Sequence, residues 1–152
     1  AFSLHRVGNF TMLRVFPLLT PFMDSFPAIR TLLLQATGHR EPWWFRFFVL
    51  FGFPRFRHLG DVVRSLARER ETEFQILLPS WMISDVAQGT FAMLPEFLLS
   101  LRFDAAGQAM VSLAFLSYLI DRAVQQGPLS YFTIVEIVSL HLWRAINLPL
   151  RP

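Results

Sequence analysis

Cysteine is absent from this 152-residue chain, and so is lysine: all 14 basic residues are arginine. Without cysteine there can be no disulfide framework, no Cys–zinc or iron–sulfur site and no thiol nucleophile. Charge is scarce as well. Asp, Glu, Lys and Arg make up 16% of the residues, where a soluble domain usually carries roughly a quarter. Acids are missing altogether from the first 23 residues, which hold Arg6, Arg14 and His5. The sequence has no GxGxxG, Walker or GxSxG pattern and no HExxH or HxxxH pair, so local phosphate cradles, nucleophile elbows and helical zinc sites have no support. The four histidines, His5, His39, His58 and His141, fall in four separate stretches. Glu136 and His141 are five apart, which on a helix places them about 140° from each other, a poor geometry for sharing a ligand. No metal and no cofactor are expected.

What is present is apolar surface. Hydrophobic residues make up 53% of the chain, 17 of them phenylalanine, and the mean hydropathy is +0.42. Disorder is excluded by that aromatic content, and the length suits one domain with an arm. Residues 1–73 hold ten Arg against six acids, a net +4, while residues 74–152 hold four Arg against five acids, a net −1, giving the overall +3. The chain divides on this basis into a basic, proline-broken arm (1–41), an aromatic segment with an amphipathic helix (42–73), and a hydrophobic helical region (74–152).

The first 23 residues of the arm have the Arg-bearing, acid-free composition of a mitochondrial transit peptide. Pro17, Pro21 and Pro27 each remove a backbone donor and bias the preceding residue away from helix. They predict an extended segment and then a short helix from Ala28 to about Ala36. Residues 43–53, WWFRFFVLFGF, contain seven aromatics in eleven positions. As a helix this stretch would reach about 16 Å, half a hydrocarbon core. With Arg40, Trp43, Trp44, Arg46, Arg55 and Arg57 it reads as a foot on anionic phospholipid such as cardiolipin. A protein interface enriched in Trp, Phe and Arg fits the same residues equally well. The overall pI of about 10.5 raises nucleic acid as a partner, but only the stretch from Arg40 to Arg57 mixes cations with rings, and at that aromatic density it would be insoluble if displayed. Nucleic acid is therefore not expected.

Asp61 reads as the N-cap of an amphipathic helix whose apolar stripe is Val62, Val63 and Leu66. Beyond it lie three apolar runs. Phe74–Leu101 is interrupted by Pro79, Asp85, Gly89, Pro95 and Glu96. The other two predict helices over about 105–126 and 129–147, with Gly127-Pro128 as stop and start. Each is near the ~30 Å thickness of a hydrocarbon core, and Tyr118, Tyr131 and Trp143 lie near their ends. Asp85, Glu96, Glu136 and His141 are then intramembrane polar groups, paired with Arg or forming part of a proton path.

These features predict an all-α protein with membrane-associated helices, a C-terminal helical hairpin and an extended, proline-broken N-terminal arm. The corresponding function is a non-catalytic accessory subunit of a mitochondrial inner-membrane complex, in the respiratory chain or ATP synthase, whose partners are neighbouring subunits and phospholipid. Two alternatives stay open: a small membrane enzyme or transporter component using Asp85, Glu96 or Glu136, and a soluble structural protein buried among partners, as in a mitochondrial ribosome.

Overall fold

The computed structural model describes residues 6–7, 10–11, 25–37, 56–103 and 106–147. Near the start, β1 (Arg6–Val7) and β2 (Phe10–Thr11) form a two-residue antiparallel pair with Val7 opposite Phe10. The remaining described elements are helices: α1 (Phe26–Ala36), α2 (Phe56–Glu69), α3 (Glu71–Leu77), α4 (Ser80–Ala87), α5 (Leu94–Leu99), α6 (Ala106–Gln126) and α7 (Tyr131–Asn147). The all-α expectation holds.

Helix α6 is the axis of the bundle. Every residue from Ser112 to Ile120 is buried, because α1, α2, α3, α4 and α7 all pack against it. A helix that is apolar on all sides must be enclosed by lipid or by protein, and here the enclosure is protein. No described helix is long and apolar enough to cross a membrane. The expectation of membrane-associated helices therefore finds no support among the described residues: the apolar run that resembled a span is the inside of a helical core.

The two C-terminal helices fall where the periodicity places them, separated at 127–130. The joint is tight. A Cβ on Gly127 would lie 2.2 Å from the Ala87 carbonyl oxygen, so this glycine is what lets the end of α6 touch the end of α4. Helix α2 departs from expectation, beginning at Phe56 with Asp61 inside it rather than at its cap. Gly60 is tolerated within that helix because α1 crosses there: a Cβ at Gly60 would stand 2.7 Å from the Cβ of Gln35. The run 74–101 breaks into three short helices, with Pro79 before α4, Gly89 (φ 77°) in the following turn and Pro95 in the first turn of α5.

Helix α1 is bound into the bundle through its end. Ser25 caps its start by accepting from the Ala28 N–H at 3.3 Å. At its C-terminus four carbonyls lack intrahelical donors, and all four are satisfied. Leu33 O accepts from Thr37 N, Leu34 O from the Tyr131 hydroxyl at 2.7 Å, Gln35 O from Arg64 Nη2 at 2.5 Å, and Ala36 O from the Ser117 hydroxyl at 2.9 Å. The Thr37 and Tyr131 hydroxyls also bond to each other. Three different helices thus supply the donors, and Arg64 adds positive charge at the negative end of the helix dipole. Tyr131→Phe should cost about 1–2 kcal/mol by removing both neutral buried bonds of that hydroxyl, to Leu34 O and to Thr37, read as a lower urea midpoint at unchanged m-value.

Candidate functional site

Helices α3 and α4 and the Leu78 cap between them bury Phe74, Leu78, Met82 and Val86, spaced by four, into the core around α6. That register leaves Ile76, Leu77 and Trp81 outside, at 80%, 39% and 53% exposure. Three of the six large apolar side chains exposed among the described residues therefore fall within six positions of the chain. The others are Val62 on α2, Met93 before α5 and Phe132 on α7. A lone exposed apolar residue is ordinary, but a group rimmed by charge marks a contact surface. The rim here includes the Arg70–Glu73 ion pair at 3.2 Å.

The turn that follows is built on Asp85. Its carboxylate is buried and accepts from the Thr90 hydroxyl at 2.7 Å and from the backbone N–H groups of Ala92 and Met93 at 2.8 and 3.1 Å. These bonds hold Phe91 at φ 50°, a conformation that costs a bulky residue strain, and the Phe91 ring stacks on His141 of α7, centroids 6.1 Å apart. Asp85 is thus the anchor that fixes the turn leading to α5. Asp85→Ala should cost about 2 kcal/mol, since two backbone donors and a hydroxyl lose a charged acceptor. Thermal unfolding would show the loss, and Asp85→Asn should recover part of it.

A second feature is a cleft of about 360 Å³ between the end of α1, α2, the start of α3 and the C-terminal half of α6. Arg64, Arg68 and Arg122 line it together with Glu71 and Asp121. The Nε atoms of Arg64 and Arg122 are buried without a hydrogen-bond partner.

The residues singled out from the sequence do not converge on one place. Asp85 is in the turn just described. Glu96 is an exposed residue in the first turn of α5, and Glu136 is exposed on α7, 3.7 Å from Arg30. His141 shares its Nδ1 with the Ile137 carbonyl at 2.8 Å, an intrahelical contact. None of the four occupies a membrane-crossing helix. Arg40, Trp43, Trp44, Arg46 and Arg55 lie outside the described residues, as does the side chain of Arg57. Sequence reasoning missed Arg64, Arg122 and the Ile76–Trp81 surface. The signal for the surface was available: Ile76 and Trp81 sit off the 74-78-82-86 stripe. Among the described residues there is no cluster of His, Asp and Glu able to hold a metal ion.

The class this defines is a helical bundle around one enclosed helix, with an apolar outer surface on α3 and α4. Residues 18–151 match the family model described as adenovirus E1B 19K protein / small t-antigen. The chain belongs to that family. It is 52% identical over 141 residues to an E1B protein, small T-antigen, of Murine adenovirus A serotype 1, covering 92% of this chain and 81% of that protein. The protein of the same description from Human adenovirus C serotype 2 is 28% identical over 127 residues, 82% of this chain and 69% of the relative. No solved structure matches.

Membership overturns the functional expectation. The chain is a viral protein of the E1B small T-antigen family, not a subunit of a respiratory complex or ATP synthase. The partners expected with that role, subunits of a mitochondrial membrane complex and its phospholipid, fall with it, and nothing indicates the mitochondrial inner membrane. The misreading has a physical source. An enclosed core helix and a lipid-enclosed helix need the same apolar composition, and an acid-free, Arg-bearing start is a compositional likeness with no mechanism behind it.

Proposed function

We infer that this chain is a non-catalytic viral accessory protein that works by binding another protein through the Ile76–Leu77–Trp81 surface. The observation that carries this reading is the exposure of a Trp and two branched aliphatics within six residues, on helices whose other face is fully committed to the core. Tryptophan is enriched among the residues that dominate binding energy at protein interfaces. A pair of short helices that exposes apolar side chains beside a charged ion pair offers a partner protein an apolar contact surface with a polar edge. The Asp85 bonds to Thr90, Ala92 and Met93 tie the C-terminal end of α4, the helix that carries Trp81, to the turn after it, and a pre-ordered helix limits the ordering cost of binding.

A photo-crosslinking residue placed at 76 or 81 in infected cells tests this. Both positions should give an adduct with the same protein, and position 107, exposed at the other end of the bundle sequence, should not. Ile76→Asp with Trp81→Asp should abolish binding of that partner while leaving the melting temperature within a few degrees, because neither side chain contributes to the core. Absence of any adduct from both positions would remove the reading.

A further inference from the structure

The Arg-lined cleft shares no residue with the apolar surface, and the fold does not account for it. Arg64 is only partly explained by its bonds to α1: Nη2 donates to the Gln35 and Thr37 carbonyls at 2.5 and 3.0 Å, and Nε is left buried without an acceptor. Arg122, on α6, also has a buried, unpartnered Nε, and no ion pair or hydrogen bond joins its guanidinium to a described residue. A guanidinium can only donate, so no rearrangement of its own atoms satisfies it. A buried donor left unmade calls for an explanation, an acceptor that is not part of the chain being one. Both arginines, one on α2 and one on α6, line the same cleft.

We propose that the cleft is a binding site for one oxyanion group of the phosphate class, held between Arg64 and Arg122 with Arg68 at its mouth. Three guanidinium groups outnumber the two carboxylates that line it, Glu71 and Asp121, so the lining favours an anion. Arginine meets phosphate oxygens in a bidentate fork that lysine cannot form. The two bonds from Arg64 to α1 fix its side chain before any ligand arrives, which lowers the ordering cost of binding. Tyr118 and Gln125 add neutral donors on the α6 wall. The volume exceeds what a bare phosphate needs, leaving space for the group that bears it.

The test uses the whole chain with 15N-labelled arginine and follows the Nε–H resonances during titration with inorganic phosphate. The Arg64 and Arg122 signals should move together and saturate at one midpoint. Arg122→Gln should weaken that midpoint by tenfold or more with the fold unchanged, whereas Arg144→Gln, on the exposed last turn of α7, should leave it alone. A phosphoserine peptide titrated in parallel separates the sources. Binding tenfold tighter than inorganic phosphate assigns the group to a phosphorylated polypeptide, and equal binding assigns it to the free anion; either supports the site. Equal movement with sodium chloride at matched ionic strength, a response that never saturates, or a midpoint indifferent to Arg122→Gln would overturn it.

Discussion

Gly127→Ala should destabilise this protein by about 3 kcal/mol, at or beyond the upper end of ordinary overpacking. The new methyl would be 2.2 Å from the Ala87 carbonyl oxygen, 2.7 Å from its carbonyl carbon and 2.9 Å from its Cβ. Two of those three atoms are backbone, and Ala87 is the last residue of α4. No rotamer change relieves such a contact, so α4 and α6 must separate. Because α4 also carries Asp85, that separation should loosen the 88–93 turn, and amide exchange there should quicken more than in α1. Gly107 provides the contrast. It lies near the start of α6 with nothing within 4 Å of its hypothetical Cβ, so Gly107→Ala should stabilise by about 0.5–1 kcal/mol through helix propensity alone. Urea unfolding of the two variants side by side separates close approach from backbone entropy. If both shift stability in the same direction, the tight joint between α4 and α6 is not as described.

How much of this was legible in the sequence depends on whether a local rule or a tertiary contact decided the matter. Helices α1, α6 and α7 were readable because Pro27, the Gly127-Pro128 pair and the apolar periodicity act locally. The start of α2 was not. Asp61 after Gly60 is a good local N-cap, yet the helix runs back through Gly60 to Phe56, where the missing Cβ leaves room for Gln35 of α1, and no sequence window contains both. The candidate site divides the same way. That Asp85 had a role was readable from a carboxylate in an apolar run. Its role as acceptor for Thr90, Ala92 and Met93 depends on a tight turn that Gly89 signals and Phe91, a poor residue for positive φ, conceals. The Arg64–Arg122 cleft joins positions 58 apart, and nothing in the spacing of either arginine announces it.

The largest loss should come from Phe115→Ala, about 3–5 kcal/mol. Phe115 is 1% exposed at the middle of α6. Its ring meets Phe74 of α3 edge-on, centroids 5.0 Å apart at 86°, and Phe97 of α5 at 5.7 Å and 34°. Phe74 in turn lies 5.9 Å from Tyr118, one turn along α6. Such aromatic contacts add to simple area burial, and here a single ring joins two of the short helices to the axis. Those helices are seven and six residues long, well below the length at which an isolated helix is stable in water, so α3 and α5 exist because the core holds them. Truncating Phe115 should therefore release α3 and α5 before α6 unfolds, seen as a fall in unfolding midpoint and early loss of amide protection at 71–78 and 94–99. The same substitution also discriminates between the two environments that suit an apolar helix. A lipid-facing ring could be truncated with little effect on a water-based unfolding curve, whereas a ring enclosed by protein leaves a cavity. A Phe115→Ala variant as stable as its parent in detergent-free buffer would mean that α6 is not enclosed as the packing shows.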